Sequence, residues 1–455
     1  MDLVKRWWER KYTMGNSDGF ETTEPVSRPL SMSGHLIAKG LELEKNGRLD
    51  DALASFERAL AIDPGSVNGW KARGTVMHVL NREREAIESY DKALSIEPEN
   101  ADILFSKAEL FQNSVSLDMR LALPLYDRVI ELLPDNWRAW CSKGFILEKT
   151  GDYEEALKCF ERAIELNERD VLAWYGKGKV QSNRKKFEEA LRCCEEALGL
   201  DGLNPDVWHL SGLILSVLGK GDEAFRAFMK VLEIAPDRMD TLYEVAVICY
   251  KSGDFERAYR AFSTIVQVEE NRADAWSFMG LLMLQFGRYR EALTYFDRSI
   301  SLNDKDYNTW QNKGSVFLMM NEHEEAVMCF DRALQLNPDS VIAWDNRCTS
   351  LRALGKYDEA LAAVDKALQA DDSDALVWCN KADTLAGLGR YEEALRCYDQ
   401  ANIKLDSIPM IWNNRGLVLK KIGRCDEACQ SFLRALSLDP AFTPARKALE
   451  ELKQC

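Results

Sequence analysis

The segment Tyr307–Ser340 reads YNTWQNKGSVFLMMNEHEEAVMCFDRALQLNPDS, and its pattern recurs along most of the chain. We number its residues as positions 1 to 34, so that position 4 is Trp310, position 8 Gly314, position 20 Ala326 and position 24 Phe330. The residues 34 further on are similar in type or small in size: Trp344, Cys348, Ala360 and Val364. A fixed period of this length predicts stacked supersecondary units instead of one globular core.

Twelve copies of the segment follow one another from residue 33 to residue 442. The third copy, 101–136, carries two extra residues. The copies begin at Ser33, Val67, Ala101, Trp137, Val171, Pro205, Met239, Ala273, Tyr307, Val341, Ala375 and Pro409. The chain therefore divides into an N-terminal tail (1–32), the repeat array (33–442) and a C-terminal piece (443–455).

Each copy has the pattern of a helical hairpin. Positions 1–14 and 18–31 show helical periodicity. Position 15, between them, is Gly in eight copies and Asn in two, and these residues favour the left-handed conformation that follows a helix C-terminus. Position 20 is Ala in all twelve copies and position 8 is Gly, Ala or Cys, so the two helices can approach closely. Pro at position 32 in six copies ends the second helix.

This pattern of Trp, small residue, turn Gly, Ala, aromatic residue and Pro resembles the tetratricopeptide repeat family over about nine-tenths of the chain. The resemblance implies an all-α fold, an α-solenoid of about twelve helical hairpins in a right-handed superhelix. It also implies that the first helix of each hairpin lines a concave groove. Members of that family bind peptides, extended segments or partner domains, and the repeats themselves are not catalytic.

Two repeats depart from the pattern. The third lacks the turn Gly, gains two residues around Ser114–Asp118, and has Pro124 within its expected second helix. We expect Pro124 to kink that helix and the superhelix to bend or lose register there. The fifth has Lys185 at the turn and Cys194 at the aromatic position, which predicts a looser hairpin.

Both ends of the chain lie outside the array. The start, MDLVKRWWERKY, is amphipathic, and residues 13–32 have the composition of a disordered linker. Trp7 and Trp8 either cover the apolar edge of the first repeat or dock on a partner or a membrane surface. Residues 443–455 predict a terminal capping helix with a polar outer face. Its inward stripe would be Ala445, Ala448, Leu449 and Leu452.

Composition limits the function and the compartment. A net charge of −15 disfavours nucleic acid as a partner and favours basic proteins. The 12 cysteines include no Cys-x-x-Cys pair, so we interpret them, Cys425 and Cys429 included, as packed thiols in a reducing cytoplasm. No apolar run is long enough to span a membrane, and the start has no signal-peptide pattern.

Catalysis has little support in the sequence. The chain has only four histidines, and none belongs to a metal or nucleophile motif. There is no phosphate-binding loop, and no segment outside the repeats is long enough for a catalytic domain. We therefore expect no catalytic residue, metal or cofactor.

Candidate binding residues follow from the family resemblance, which places positions 2, 5, 6, 9, 12 and 13 in the groove. Position 6 is Asn in the last four repeats only: Asn312, Asn346, Asn380 and Asn414. An Asn amide donates and accepts hydrogen bonds, so such a row could hold the backbone of an extended guest. The alternative is that these residues only tie neighbouring helices together.

A second candidate is an apolar patch in repeats 6–8. Position 9 in these repeats is apolar, and other groove positions there are aromatic. The predicted residues are Leu213, Tyr243, Val247, Tyr250, Phe278 and Leu281. An open apolar patch of this kind marks a binding site, unless the superhelix closes over it as core.

Position 7 is basic in nine repeats. We interpret these side chains as packed along the helix with their charges directed to acidic neighbours, and an electropositive ladder is the alternative. Together the patterns predict a non-catalytic scaffold that binds a protein or peptide segment in its groove. The other interpretation is a regulatory or targeting subunit for a separately encoded enzyme.

Overall fold

The computed structural model describes residues 31–452, and the tail with Trp7 and Trp8 lies outside the described residues. Within that range all regular structure is helical, with no strand. The chain divides between Ala235 and Pro236 into two compact units, so that residues 236–238, the last of repeat 6, belong to the second unit. The all-α class predicted from the sequence is confirmed.

The N-terminal unit contains the paired helices of repeats 1–6. Their bounds are α1 (Met32–Lys45), α2 (Leu49–Ile62), α3 (Val67–Val79), α4 (Glu83–Ile96), α5 (Ala101–Asn113), α6 (Leu123–Leu132), α7 (Trp137–Thr150), α8 (Tyr153–Leu166), α9 (Val171–Asn183), α10 (Phe187–Leu200), α11 (Pro205–Val217) and α12 (Gly221–Ile234). Each odd-numbered helix packs against the next even-numbered one, and consecutive hairpins stack.

The C-terminal unit repeats this arrangement for repeats 7–12 and adds one helix. The bounds are α13 (Met239–Lys251), α14 (Phe255–Val268), α15 (Ala273–Gln285), α16 (Tyr289–Leu302), α17 (Tyr307–Met319), α18 (His323–Leu336), α19 (Val341–Ala353), α20 (Tyr357–Ala370), α21 (Ala375–Gly387), α22 (Tyr391–Lys404), α23 (Pro409–Lys421), α24 (Cys425–Leu438) and α25 (Thr443–Leu452). Helix α25 packs on α24 through the buried residues Ala445 and Ala448.

Small residues allow the two helices of a hairpin to touch. The Ala at position 20 is fully buried in all twelve repeats. A Cβ atom added to Gly314 would lie 2.7 Å from the Phe330 ring, closer than two carbon atoms can approach. Where position 8 holds Cys348, the facing position 24 holds the smaller Val364. The close approach predicted from small residues is confirmed. The small residue at position 8 is needed because the aromatic ring at position 24 packs directly against it.

Tryptophan at position 4 links nine of the hairpins to the preceding one. In nine repeats the indole N–H donates a hydrogen bond of 2.8–3.0 Å to the backbone carbonyl six residues upstream. The acceptor is position 32 of the preceding repeat, for example Pro338 for Trp344. This bond gives the N–H of the half-buried indole a partner and joins the start of one repeat to the end of the preceding one.

The turn at position 15 takes the left-handed conformation in eleven repeats. Lys185 adopts it too, with φ +61°, and the flanking amides form the bonds seen in the glycine turns, such as Lys186 N–H to Gln181 O at 2.9 Å. The expectation of a looser turn in repeat 5 is therefore wrong. The hydrogen bonds that close the turn offset the steric cost of a side chain there.

Repeat 3 accommodates its proline without a kink. Residues 119–122 form a 3-10 turn, and α6 begins only at Leu123. Pro124 thus lies in the first turn of a helix, where a missing N–H costs nothing. Ala122 and Tyr126 remain fully buried, so positions 20 and 24 keep their places. The predicted kink is wrong because the helix start moves to the proline.

Most cysteines are packed, as predicted. Nine of those described are buried thiols, and none of the described cysteines forms a disulfide. Cys425 is the exception: it is the first residue of α24 and is exposed, whereas Cys429, one turn later, is half-buried. For Cys425 the prediction of a packed thiol is wrong, because the first residue of a second helix faces solvent here.

Candidate interaction surfaces

On the first helices of repeats 9–12, positions 2, 6, 9 and 13 recur about one turn apart on one face and form an outward stripe, in which every residue is exposed or half-buried. On α19 these residues are Ile342, Asn346, Thr349 and Ala353, and each is exposed or half-buried. Positions 4 and 8 face the neighbouring helices instead. The stripes of α17, α19, α21 and α23 carry the predicted asparagine row.

Asn312 and Asn346 have uncommitted side chains. Both are half-buried, and neither side-chain amide forms a hydrogen bond with another residue of 31–452. Each amide therefore keeps its full capacity to donate and accept. These two residues can bind a guest without first giving up an internal bond.

Asn380 and Asn414 are engaged with the preceding repeat. The Asn380 amide donates to Asp345 Oδ1 at 2.8 Å and accepts from the Arg352 guanidinium at 3.2 Å. The Asn414 amide donates to Asp383 Oδ1 at 3.3 Å. These bonds tie α21 to α19 and α23 to α21, which is the alternative considered for the row. Two of the four asparagines are thus uncommitted, and the other two are anchored to the preceding repeat.

Arg352 lies at the centre of the polar network in repeats 10–12. Its guanidinium donates to Asp383 Oδ2 at 3.1 Å and to the Asn380 carbonyl at 3.3 Å. The Tyr398 hydroxyl donates to the other oxygen of Asp383. Asp345 forms no ion pair with any residue between 31 and 452. Burial raises the pKa of its carboxyl above the ordinary value, with the Asn380 bond and Arg352 opposing that shift.

An open cleft of about 360 Å³ lies beside this network. Its walls are His323, Thr349, Arg352, Ala353, Tyr357, Asp383 and Gly387. The positions involved are mostly 9, 12 and 13 of two consecutive first helices. Sequence reasoning missed Asp345, Arg352 and Asp383, although they occupy groove positions, because each occurs once and so forms no row.

The aromatic residues predicted in repeats 7 and 8 do form a cluster. The Phe278 ring lies 5.9 Å from Tyr243 and 5.6 Å from Tyr250, edge-on to both. It also stacks at 4.9 Å on Phe262, which is fully buried. The cluster is therefore continuous with the core of repeat 7, while its other members stay half-buried.

The remaining predicted apolar residues are divided between the two units. Val247 and Leu281 are half-buried on α13 and α15 of the C-terminal unit. Leu213 is half-buried on α11, in the N-terminal unit. The cluster observed within one unit thus comprises the aromatic residues of repeats 7 and 8.

A cation and acids border the aromatic cluster. The Arg272 guanidinium lies 4.2 Å from the centre of the Tyr243 ring and pairs with Glu269 at 3.0 Å and Asp274 at 3.2 Å. Burial and the nearby Asp274 carboxylate raise the pKa of the Tyr243 hydroxyl. The cluster therefore presents a neutral, hydrogen-bonding hydroxyl group at neutral pH.

Basic residues at position 7 pair with acids of the preceding repeat, 16 residues upstream. Lys313 contacts Asp297 at 2.6 Å and Arg347 contacts Asp331 at 2.6 Å. The same side chains lie near the tryptophan ring of their own helix, as Lys313 does with Trp310 at 5.6 Å. The interpretation as packed stems with paired charges is confirmed, and the electropositive ladder is wrong.

Among residues 31–452, no group of three or more His, Cys, Asp and Glu side chains is arranged to hold a metal ion. In the same range, no helix has the length and apolar content needed to cross a bilayer.

Several tetratricopeptide repeat models match the chain. They match residues 36–66, 205–238 and 307–340, and a further one matches 146–205, 248–307 and 379–441. The model of the cytochrome c-type biogenesis protein H TPR domain matches residues 58–170. A comparison with curated proteins gives no match.

Solved structures of similar architecture have low sequence identity. YrrB, described as a TPR protein with an unusual peptide-binding site, is 24% identical with a TM-score of 0.36, over 40% of this chain and 95% of that one. The Cut9–Hcn1 hetero-tetramer of the APC/C is 12% identical with a TM-score of 0.49, over 93% and 96%. MamA is 23% identical with a TM-score of 0.34, over 38% and 93%.

The family matches and the fold agree on one point. The matched segments lie in both units, and each falls on helical hairpins with the left-handed turn and the buried alanine described above. The chain belongs to the tetratricopeptide repeat family.

Proposed function

We propose that this chain is a non-catalytic scaffold whose C-terminal unit binds an extended protein or peptide segment along the asparagine row. The observation that carries the proposal is the state of Asn312 and Asn346. They hold the same position on consecutive first helices, they are half-buried, and their amides are uncommitted within the described residues.

The chemistry of the row suits a backbone guest. An extended chain presents peptide N–H and C=O groups at regular intervals, and each uncommitted amide can pair with both kinds of group. Asn380 and Asn414 are held in fixed orientations by Asp345 and Asp383. A guest that follows the row would therefore meet two adaptable contacts and two preorganised ones.

The aromatic cluster offers an anchor for an apolar side chain. Tyr250 and Phe278 are half-buried and lie 5.6 Å apart, with Leu281 half-buried on the same helix as Phe278. Aromatic residues of this kind contribute a large share of the binding energy at interfaces. We propose that the guest places an apolar residue here and extends from it along the asparagine row.

The variant Asn312→Ala/Asn346→Ala tests this function. The probe is a displayed library of random dodecapeptides selected on the full-length chain, with the dissociation constants of selected peptides measured by fluorescence anisotropy. We expect binding to weaken by about tenfold to a hundredfold, since each lost amide removes up to two hydrogen bonds of about 0.5–1.5 kcal/mol. Thermal stability should hardly change, because neither amide forms a hydrogen bond with another residue of the described range 31–452.

The matched control is Ser106→Ala, at position 6 of repeat 3 in the N-terminal unit. The Ser106 hydroxyl donates to the carbonyl of Asp102 at 2.9 Å, so its removal alters only a local bond. Selected peptides should bind this variant as they bind the natural chain. Peptides that bind the two variants equally well would contradict the proposed role of the row.

We also propose a reducing compartment such as the cytoplasm. The support is the set of buried, unpaired thiols, nine among the described cysteines, because oxidising compartments favour disulfides. The net charge of −15 favours basic protein partners over nucleic acid.

A further inference from the structure

The first helices of repeats 10–12 carry an exposed apolar row beside the asparagines. Ile342, Leu376 and Met410, all at position 2, are 61%, 43% and 43% exposed. The same position in repeats 7–9 is polar, with Asp240, Asp274 and Asn308. The apolar side chains are therefore not a requirement of the repeat itself.

Each member of this apolar row precedes an asparagine by four residues. Side chains four residues apart lie on the same helical face, so Ile342 neighbours Asn346, Leu376 neighbours Asn380 and Met410 neighbours Asn414. An extended guest whose backbone follows the asparagines projects its side chains alternately to two sides. The side chains on one side then face the apolar row, and covering this row removes apolar surface from water, which favours binding.

The other feature of this face is an uncompensated acid. The Oδ1 atom of Asp345 accepts from Asn380 at 2.8 Å, and its Oδ2 atom accepts no hydrogen bond within residues 31–452. A carboxylate has room for about four such bonds. The nearby cation, Arg352, makes its ion pair with Asp383 at 3.1 Å, so the network holds two carboxylates and one guanidinium.

The surroundings of Asp345 add negative charge. The Asp374 carboxylate acts with burial to raise the pKa of Asp345, against the Asn380 bond and Arg352. The side chain of Asp374 caps α21 by accepting from Leu376 N–H at 2.8 Å, so it is fixed in place. A cation from outside would stabilise the ionised form of Asp345, which burial disfavours, and would donate a hydrogen bond to Oδ2.

We propose that this face of repeats 10–12 binds a partner segment of defined chemistry: an extended stretch with apolar side chains and one Lys or Arg that pairs with Asp345. The inference rests on the proposed function and specifies its guest. Charge complementarity selects this occupant, since an acidic segment would add a like charge beside Asp345, Asp374 and Asp383. The net charge of −15 also attracts a basic segment over distance.

The experiment uses the library of random dodecapeptides on the full-length chain and sequences the selected peptides. We expect most of them to carry apolar residues with at least one Lys or Arg. One selected peptide is then synthesised with its basic residue intact and with that residue replaced by Gln. Binding of the intact peptide should weaken by at least about tenfold in Asp345→Asn, and the Gln peptide should bind the natural chain and the Asp345→Asn variant with similar affinity.

Asp365→Asn is the matched control for charge. It removes one carboxylate from the second helix α20, where Asp365 pairs with Lys381 at 2.7 Å. This variant has the same net charge as Asp345→Asn, so an effect confined to Asp345→Asn reports a local contact. A second variant, Ile342→Ser/Leu376→Ser, should also weaken binding, because it removes two of the three apolar side chains of the row without altering the charge.

The possible failures are distinguishable. Peptides that depend on Asn312 and Asn346 but lack basic residues, or that bind Asp345→Asn normally, overturn this inference and leave the proposed function standing. Peptides insensitive to both sets of variants overturn both proposals. Dimers in sedimentation that Ile342→Ser/Leu376→Ser dissociates would show a second copy of the chain on this face, and would also overturn the inference.

Discussion

At the scale of single residues, the array depends on which side chains are small. Ala326 is fully buried, as is the Phe330 ring one turn later, and both belong to the cluster that joins repeat 9 to repeat 10. Gly314 faces the same ring and leaves no room for a Cβ atom. The hairpin can therefore hold the Phe330 ring only because positions 8 and 20 carry residues with little or no side chain.

The variant Ala326→Leu should destabilise the chain by roughly 1–3 kcal/mol, because the added carbon atoms overpack a full core. The measurement is chemical unfolding followed by circular dichroism. The control Ala362→Leu changes an exposed alanine on α20 and should have little effect. An unfolding midpoint for Ala326→Leu equal to that of the natural chain would contradict this account of position 20.

Buried thiols give a second prediction for single residues. Burial raises the pKa of Cys159 and of Cys348 from about 9 to about 11. Between these values the unfolded chain loses thiol protons that the folded chain keeps, so the free energy of unfolding falls as pH rises. Buried tyrosines such as Tyr90 act in the same direction, since burial raises their pKa as well.

We therefore expect the melting temperature to be steady from pH 7 to about 8.5 and to fall as pH rises further towards 11. In Cys348→Ala the fall should be shallower between pH 9 and 11, because one titrating group is gone. Differential scanning fluorimetry across this range measures the effect. A melting temperature that stays constant or rises above pH 9 would be inconsistent with the raised thiol pKa values.

At the scale of helices and turns, backbone hydrogen bonds determine the conformation at positions where the residue type would not favour it. Eight turns use Gly at position 15, as expected for left-handed backbone. Lys185 adopts the same conformation with φ +61° because the bonds that close the turn are retained. Pro124 likewise sets where α6 begins without bending it. The context of a helix end thus overrides the local preference of one residue.

Lys185→Gly should stabilise the chain by about 0.5–1 kcal/mol. The substitution removes the steric cost of a side chain at positive φ, roughly 1–2 kcal/mol, and part of that gain is lost to the greater freedom of glycine in the unfolded chain. Lys186→Gly is the control, because Lys186 has an ordinary φ of −92° and should only lose stability. The free energies of unfolding from denaturant titration compare the two, and a less stable Lys185→Gly would refute the argument.

At the scale of the whole molecule, the periodic sequence made the fold predictable, whereas contacts between residues that do not recur could not be predicted. The helical hairpins, their turns and the buried Ala positions follow from a pattern that recurs twelve times, and the asparagine row was visible for the same reason. Asp345, Arg352 and Asp383 come together through packing of α19 against α21, and no repeat in the sequence marks them. The pairing of Asn380 and Asn414 with acids could not be read from residue type alone.

The most direct test of the central proposal is hydrogen exchange of the full-length chain with and without a selected dodecapeptide. We predict that peptide binding slows the exchange of backbone amides in the first helices of repeats 9–12, above all in α19 and α21. Exchange in the second helices α18 and α20 should be unchanged. Protection confined to the second helices, or to the N-terminal unit, would contradict the claim that the asparagine row holds the guest.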